Sequence, residues 1–151
     1  MASIGPSVPH HVSSVLRVMP PGGRVLVANR GEIACRVIAT AKQLALPTAA
    51  VFTAVDAEAR HVQSADIAAQ LTSSTGYLDQ EEVIAACKRL GVSAVHPGYG
   101  FLSERASFAQ RLYEEQIAFV GPPAGAIAAL GDKAESKKLM RRAMVPVVPG
   151  M

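Results

Sequence analysis

Three short stretches carry residue types whose spacing suits chemistry. The first is His96-Pro97-Gly98-Tyr99-Gly100-Phe101, at the exit of the apolar run VSAV. Its glycines permit positive φ or close approach of backbone to a ligand, and Pro97 stiffens the exit. Two aromatics on such a loop either flank a ligand or cover the end of a sheet. The second stretch is Gly131-Asp132-Lys133, where a lysine opens a helical pattern. Such a lysine opposes the helix dipole at a cost of a few tenths to about 1 kcal/mol. Either it faces an anion together with the free amides of the first turn, or it is a solvated surface lysine. The third is Asn29-Arg30-Gly31-Glu32. A tight turn explains Gly31 but not Arg30 and Glu32 together. None of these is a Walker A loop or a GxGxxG loop, and no acidic residue closes the second strand to hold a ribose, so a free dinucleotide site has little support. His10, His11, His61 and His96 have no paired cysteines or carboxylates at ligand spacing, so no metal pattern emerges.

The elements that must position these stretches alternate in type. RVLVAN, ending at Asn29, reads as a strand. The following EIACRVIATAKQLAL places Ile33, Val37, Ile38, Ala41 and Leu44 on one helical face, with Glu32 in the first turn. TAAVF (48–52) is apolar on both faces, as a buried parallel strand is. Residues 53–76 are less regular, with IAAQL as a third strand and SSTG as a turn. Asp79 and Glu82 form a capping-box pattern ahead of Val83, Ile84, Cys87 and Leu90, and Gly91 suits the position after the helix. VSAV is the fourth strand. A helix from Glu104, capped by Ser103, turns Phe108, Ala109 and Leu112 inward. IAFVG is the fifth strand, PAGAIAALG a short helix opened by proline, and Asp132 with Glu135 caps a last helix to about Met144. Strand–helix alternation of this kind implies a parallel sheet with right-handed crossovers. The fold class is α/β, a Rossmann-like parallel sheet of about five strands flanked by helices, and ligands bind such sheets beyond the carboxyl ends of the strands.

Composition excludes several classes. A length of 151 residues suits one domain, and half the residues are apolar. No apolar run approaches the ~18 residues of a membrane span. The formal charge of +3 comes entirely from Arg17, Arg24 and Arg30, and the 120 residues after Gly31 carry 12 basic and 12 acidic side chains. A nucleic-acid binder concentrates positive charge on its folded part, so no nucleic-acid partner is expected. Cys35 and Cys87 fall inside helical patterns and read as buried, reduced thiols. Residues 1–23, acid-free with serines and prolines, read as a disordered tail or a transit peptide.

Taken together, ANRGEIACRVI, AVDAEARHVQSAD, AVHPGYGFLSE, FVGPP, LGDKAESKKLM and VPVVPG, in that order from Arg24 to Gly150, resemble the N-terminal domain of biotin carboxylase, as in biotin-dependent acyl-CoA carboxylases and pyruvate carboxylase. The resemblance implies a domain at residues 24–144 preceding an ATP-grasp fold, with 145–151 as its truncated start. It implies an enzyme that uses ATP and Mg²⁺ to activate bicarbonate and then carboxylates carrier-bound biotin. Carried over by residue, Lys133 contacts ATP phosphate, Tyr99 and Gly100 wall the biotin and bicarbonate pocket, and Arg36 lies at a homodimer interface. His96 reads as structural. No catalytic residue and no metal ligand is expected within the chain, which is expected to be inactive alone. Expected partners are the remainder of the biotin carboxylase, a biotin carrier domain and a carboxyltransferase subunit. The alternative is a non-catalytic fragment that dimerises or binds the carboxylase. GPP and VPVVPG lean toward the methylcrotonoyl-CoA carboxylases, then the propionyl-CoA carboxylases, and those relatives suggest the mitochondrial matrix, the alternative being the cytoplasm.

The chain departs from the family pattern in places. Ile67 stands where the family has an acid, and a short IGP-containing segment after the third strand is missing. Arg105 replaces an asparagine. Met144 replaces a glycine at a helix end, where positive φ is costly for methionine. Ala39 and Gln43 stand where some relatives carry charged dimer contacts.

Overall fold

A computed structural model describes Pro20, residues 22–131 and residues 133–148. The expectations for the tail before Pro20, the Asp132 cap and residues 149–151 lie outside the described residues. Five strands form one sheet: β1 (Arg24–Val27), β2 (Thr48–Phe52), β3 (Ile67–Gln70), β4 (Val92–His96) and β5 (Ala118–Phe119). The order is β3-β2-β1-β4-β5 and every pairing is parallel. Among the described residues six α-helices accompany it: α1 (Gly31–Gln43), α2 (Arg60–Ser64), α3 (Gln80–Arg89), α4 (Ala106–Glu114), α5 (Ala124–Gly131) and α6 (Lys133–Arg142).

Alternation along the central strands separates two cores. Leu26 of β1 and Val51 of β2 face a large cluster built with Val83, Ile84 and Cys87 of α3 and Phe108 and Leu112 of α4. Val27 and Ala50 point the other way, against Ile33, Ala34, Val37 and Ile38 of α1. Side chains at successive strand positions emerge on opposite faces, so helices must cover both sides. That is why β1 and β2 read as continuous apolar runs. At the amino-terminal end of the sheet, Asp66 fastens three elements. One carboxylate oxygen accepts from the Thr48 amide (2.7 Å) and hydroxyl (2.8 Å), and the other pairs with Lys42 Nζ at 2.9 Å.

Several boundaries differ from expectation. The first strand stops at Val27, because Ala28 and Asn29 turn into the loop. Leu44 is not on the inner face of α1. The helix ends at Gln43, the chain turns through Ala45 at φ 56°, and Leu44 is 65% exposed. Cys87 is buried, and burial pushes its thiol up to about 12, whereas Cys35 is only half-buried. The capping box at α3 is half formed. Asp79 accepts from the Glu82 amide at 3.0 Å. The Glu82 carboxylate instead accepts from the Thr72 amide and hydroxyl (2.6 and 2.9 Å) and the Ser73 amide (3.0 Å). It thereby organises the stretch after β3. Ser103 does not cap α4; Arg105 holds that position with no side-chain bond. The fifth strand is two residues long. Beyond it, α5 packs on α4 and α6 on α5, and no residue of α6 is buried. Met144 adopts φ 56° just past α6.

Candidate functional site

From β1 the chain steps to β2 on one side, while β4 pairs on the other, so the sheet order reverses at β1 and β4. Their carboxyl ends open a crevice at this switch point, between the loops 28–30 and 97–105. Asn29, 2% exposed, sits at its base. Its Nδ2 donates to the carbonyls of Pro97 and Tyr99, each at 2.8 Å, and its Oδ1 accepts from the Arg30 amide at 2.9 Å. Both donors of the carboxamide and one of its two acceptor positions are used. Every described peptide bond is trans. In a trans peptide the N–H opposes the C=O, so with the Tyr99 carbonyl turned onto Asn29, the Gly100 amide points away from it. His96 supports the same loop. Its Nδ1 accepts from the Gly98 amide at 3.0 Å, which leaves the ring proton on Nε2. Burial, then the nearby Arg36 charge, push the imidazole pKa down and keep it neutral. This agrees with a structural histidine.

Arg30 and Glu32 reach in opposite directions. Arg30 pairs with Asp56 at 3.3 Å and lies over the Tyr77 ring, 5.9 Å from its centroid. Asp56 is buried and accepts from the Tyr77 hydroxyl at 2.9 Å. Burial and that carboxylate push the phenol well above the usual tyrosine range. Tyr77 in turn packs against Phe101, ring centroids 5.3 Å apart. Glu32 Oε1 accepts from the Tyr99 hydroxyl at 2.9 Å. Residues 29–32 therefore hold the 53–56 turn, Tyr77 and the 97–101 loop at once. Asn29 stands in the sequence only as the first residue of a candidate loop, with no role of its own, and Asp56 and Tyr77 carry no candidate role there. A polar residue just past a buried strand was the available signal for Asn29, and a lone acid four residues past β2 the signal for Asp56.

The structure thus brings Tyr99 and Gly100 together with Asn29 and Glu32. Arg36 is exposed on α1, off the buried face as expected. Lys133 is exposed at the start of α6, beyond β5, and no hydrogen bond or ion pair among the described residues joins it to the loop cluster. Among the described residues no group of three or more His, Cys, Asp or Glu is placed to hold a metal ion. A concavity of about 1080 Å³ lies elsewhere, along β5, lined by Tyr113, Phe119, Pro122 and Pro123 among others. It gathers no cluster of titratable groups, so the chemistry is assigned to the crevice.

A five-stranded parallel sheet flanked by helices, with a crevice at its switch point, defines a Rossmann-like α/β domain. The chain belongs to the family described as biotin carboxylase, N-terminal domain, whose model matches residues 22–127. It is 51% identical over 130 residues to methylcrotonoyl-CoA carboxylase subunit alpha, mitochondrial, of Oryza sativa, covering 84% of this chain and 18% of the relative. It is 49% identical to the propionyl-CoA carboxylase alpha chain of Ruegeria pomeroyi, covering 84% of this chain and 19% of that one. The solved biotin carboxylase domain dimer of Hydrogenobacter thermophilus 2-oxoglutarate carboxylase, in complex with MgADP, ADP and bicarbonate, superposes with a TM-score of 0.80 at 46% identity, covering 85% of this chain and 29% of that chain. The chain thus spans under a third of the length of the relatives it matches.

Proposed function

We propose that this chain supplies the N-terminal part of an ATP-dependent biotin carboxylase within an acyl-CoA carboxylase. In this reading residues 24–144 form the domain and 145–151 begin the ATP-grasp region. The observation that carries it is the pinned loop at the switch point: Tyr99 stands exposed and the Gly100 amide points away from Asn29. Tyr99 and Gly100 then form one wall of the biotin and bicarbonate pocket, and both biotin's ureido oxygen and bicarbonate accept hydrogen bonds of the kind an outward amide donates. Lys133, at a helix start, suits an ATP phosphate oxygen. Mg²⁺ does not fit the described residues, which gather no carboxylates for it, so its ligands are assigned to the remainder of the enzyme. Partners in this reading are that remainder, a biotin carrier domain, a carboxyltransferase subunit and a second biotin carboxylase through the α1 face bearing Arg36. Motif likeness favours a methylcrotonoyl-CoA carboxylase of the mitochondrial matrix, since the rice relative carries that name.

The test is bicarbonate-dependent ATP cleavage with free biotin. The full chain alone is expected to show none. The full chain joined to the residues that follow the matched segment in the rice relative is expected to turn over. Robust turnover by the 151 residues alone overturns the partial-enzyme reading, and a folded fusion without biotin-dependent turnover overturns the carboxylase reading. A second reading, a non-catalytic fragment that dimerises, draws on the exposed Arg36 of α1. Sedimentation of the pure chain decides it, a monomer counting against.

A further inference from the structure

We propose that Asn29 is a positioning residue for the wall formed by Tyr99 and Gly100: its buried carboxamide sets the loop's peptide planes before any ligand arrives. The proposal rests on the reading of that wall given above. Asn29 lies beneath the loop and acts through it. The loop needs such a clamp, because Gly98, Gly100 and Phe101 hold φ of 66°, 65° and 45° within four residues. The last is a bulky residue in a conformation that L side chains leave readily when released. Two carbonyls turned to one point require a donor with two hydrogens there. The Asn29 Nδ2 group supplies both, at 2.8 Å each. Aspartate offers no donor at this position and serine only one. The other restraints act differently: His96 holds the Gly98 amide, Glu32 holds the Tyr99 phenol rather than its peptide, and the Ser103 amide holds the Gly100 carbonyl, which belongs to the following peptide. With the Asn29 donors removed, the Tyr99–Gly100 peptide is free to rotate and carry the Gly100 amide off its outward course. Ligand affinity at the wall should then fall although no wall residue has changed.

The full 151-residue chain tests this by ¹⁵N relaxation at Gly98 and Gly100. Asn29→Asp keeps the acceptor for the Arg30 amide and loses both donors. The Gly100 order parameter is expected to fall from about 0.85 to below about 0.6. Native-like order in the variant overturns the proposal. If Asn29→Asp does not fold, Asn29→Ala, which also lacks both donors, is read in the same way. In the fusion enzyme, the variant is expected to raise KM for free biotin about tenfold while kcat stays within about twofold. An unchanged KM, or a loss confined to kcat, overturns the positioning role. A native fusion lacking biotin-dependent turnover removes the functional reading alone, and the relaxation comparison still decides what Asn29 does.

Discussion

A methyl group added to Gly98 would stand 2.6 Å from Nδ2 of Asn29, and Gly98 itself holds φ at +66°. Gly98→Ala therefore meets two penalties, a left-handed backbone and an overlap with a side chain fixed by three hydrogen bonds. The expected loss is about 2–4 kcal/mol, measured as a shift in urea midpoint. In an Asn29→Ala background the overlap with Nδ2 and Cγ disappears, while a tight 3.1 Å approach to Cβ and the backbone term remain. A double-mutant cycle is expected to show coupling of about 1 kcal/mol, and additivity would mean that the two residues do not share this contact.

Met144 carries the opposite imbalance. It is 91% exposed and sits at φ 56° after α6, so its side chain contributes little packing while its Cβ crowds the backbone. Met144→Gly is expected to stabilise by about 0.5–1 kcal/mol, read as a rise of a few degrees in Tm. A fall in Tm would show that the methionine makes compensating contacts.

The Asp66 carboxyl is held down to about 2 from its usual 3.8, by Lys42 first and then by the Thr48 amide and hydroxyl. A depressed carboxyl stabilises the fold above its unfolded value, and that contribution is lost as pH falls through the folded value. Stability is thus expected to decline between pH 3.8 and about 2. The group is partly exposed, so solvent screening keeps the effect modest. Asp66→Asn should flatten this part of the pH profile, and an unchanged slope would assign it to other carboxylates.

Glu32 raises the Tyr99 phenol pKa above the usual 10.0 by accepting its hydrogen and by its charge. The ¹³Cζ resonance of Tyr99 is expected to titrate above free tyrosine, and Glu32→Gln to bring it closer. Identical titrations would mean that the pair does not persist in solution.

Much of this arrangement is legible in the sequence, for reasons that differ by element. α1, α3 and α4 each bury one face, so their apolar residues recur at helical spacing. β1 and β2 are covered on both sides, so they read as unbroken apolar runs. The loop at 96–101 announces itself by composition. What binds the loop to its neighbours is not legible, because the partners are single polar residues far apart in the chain. Asn29, Asp56 and Tyr77 show no periodicity, and only the parallel pairing of β1 with β4 sets Asn29 beneath Pro97 and Tyr99. Ser103 and Leu44 failed for a local reason: each lies within a turn of a helix end, where boundaries shift by a residue or two.

The bonds that shape the 97–101 loop reach back 68, 70 and 67 residues, to Asn29 and Glu32. Loop closure over such spans is slow compared with helix formation. The crevice is accordingly among the last parts to become ordered, once β1 and β4 have met across two intervening strands' worth of chain. An early folding intermediate with intact helices would have no such wall, and protection of the Ala28 amide, which donates to the His96 carbonyl at 2.9 Å, would mark the moment at which β1 and β4 come together.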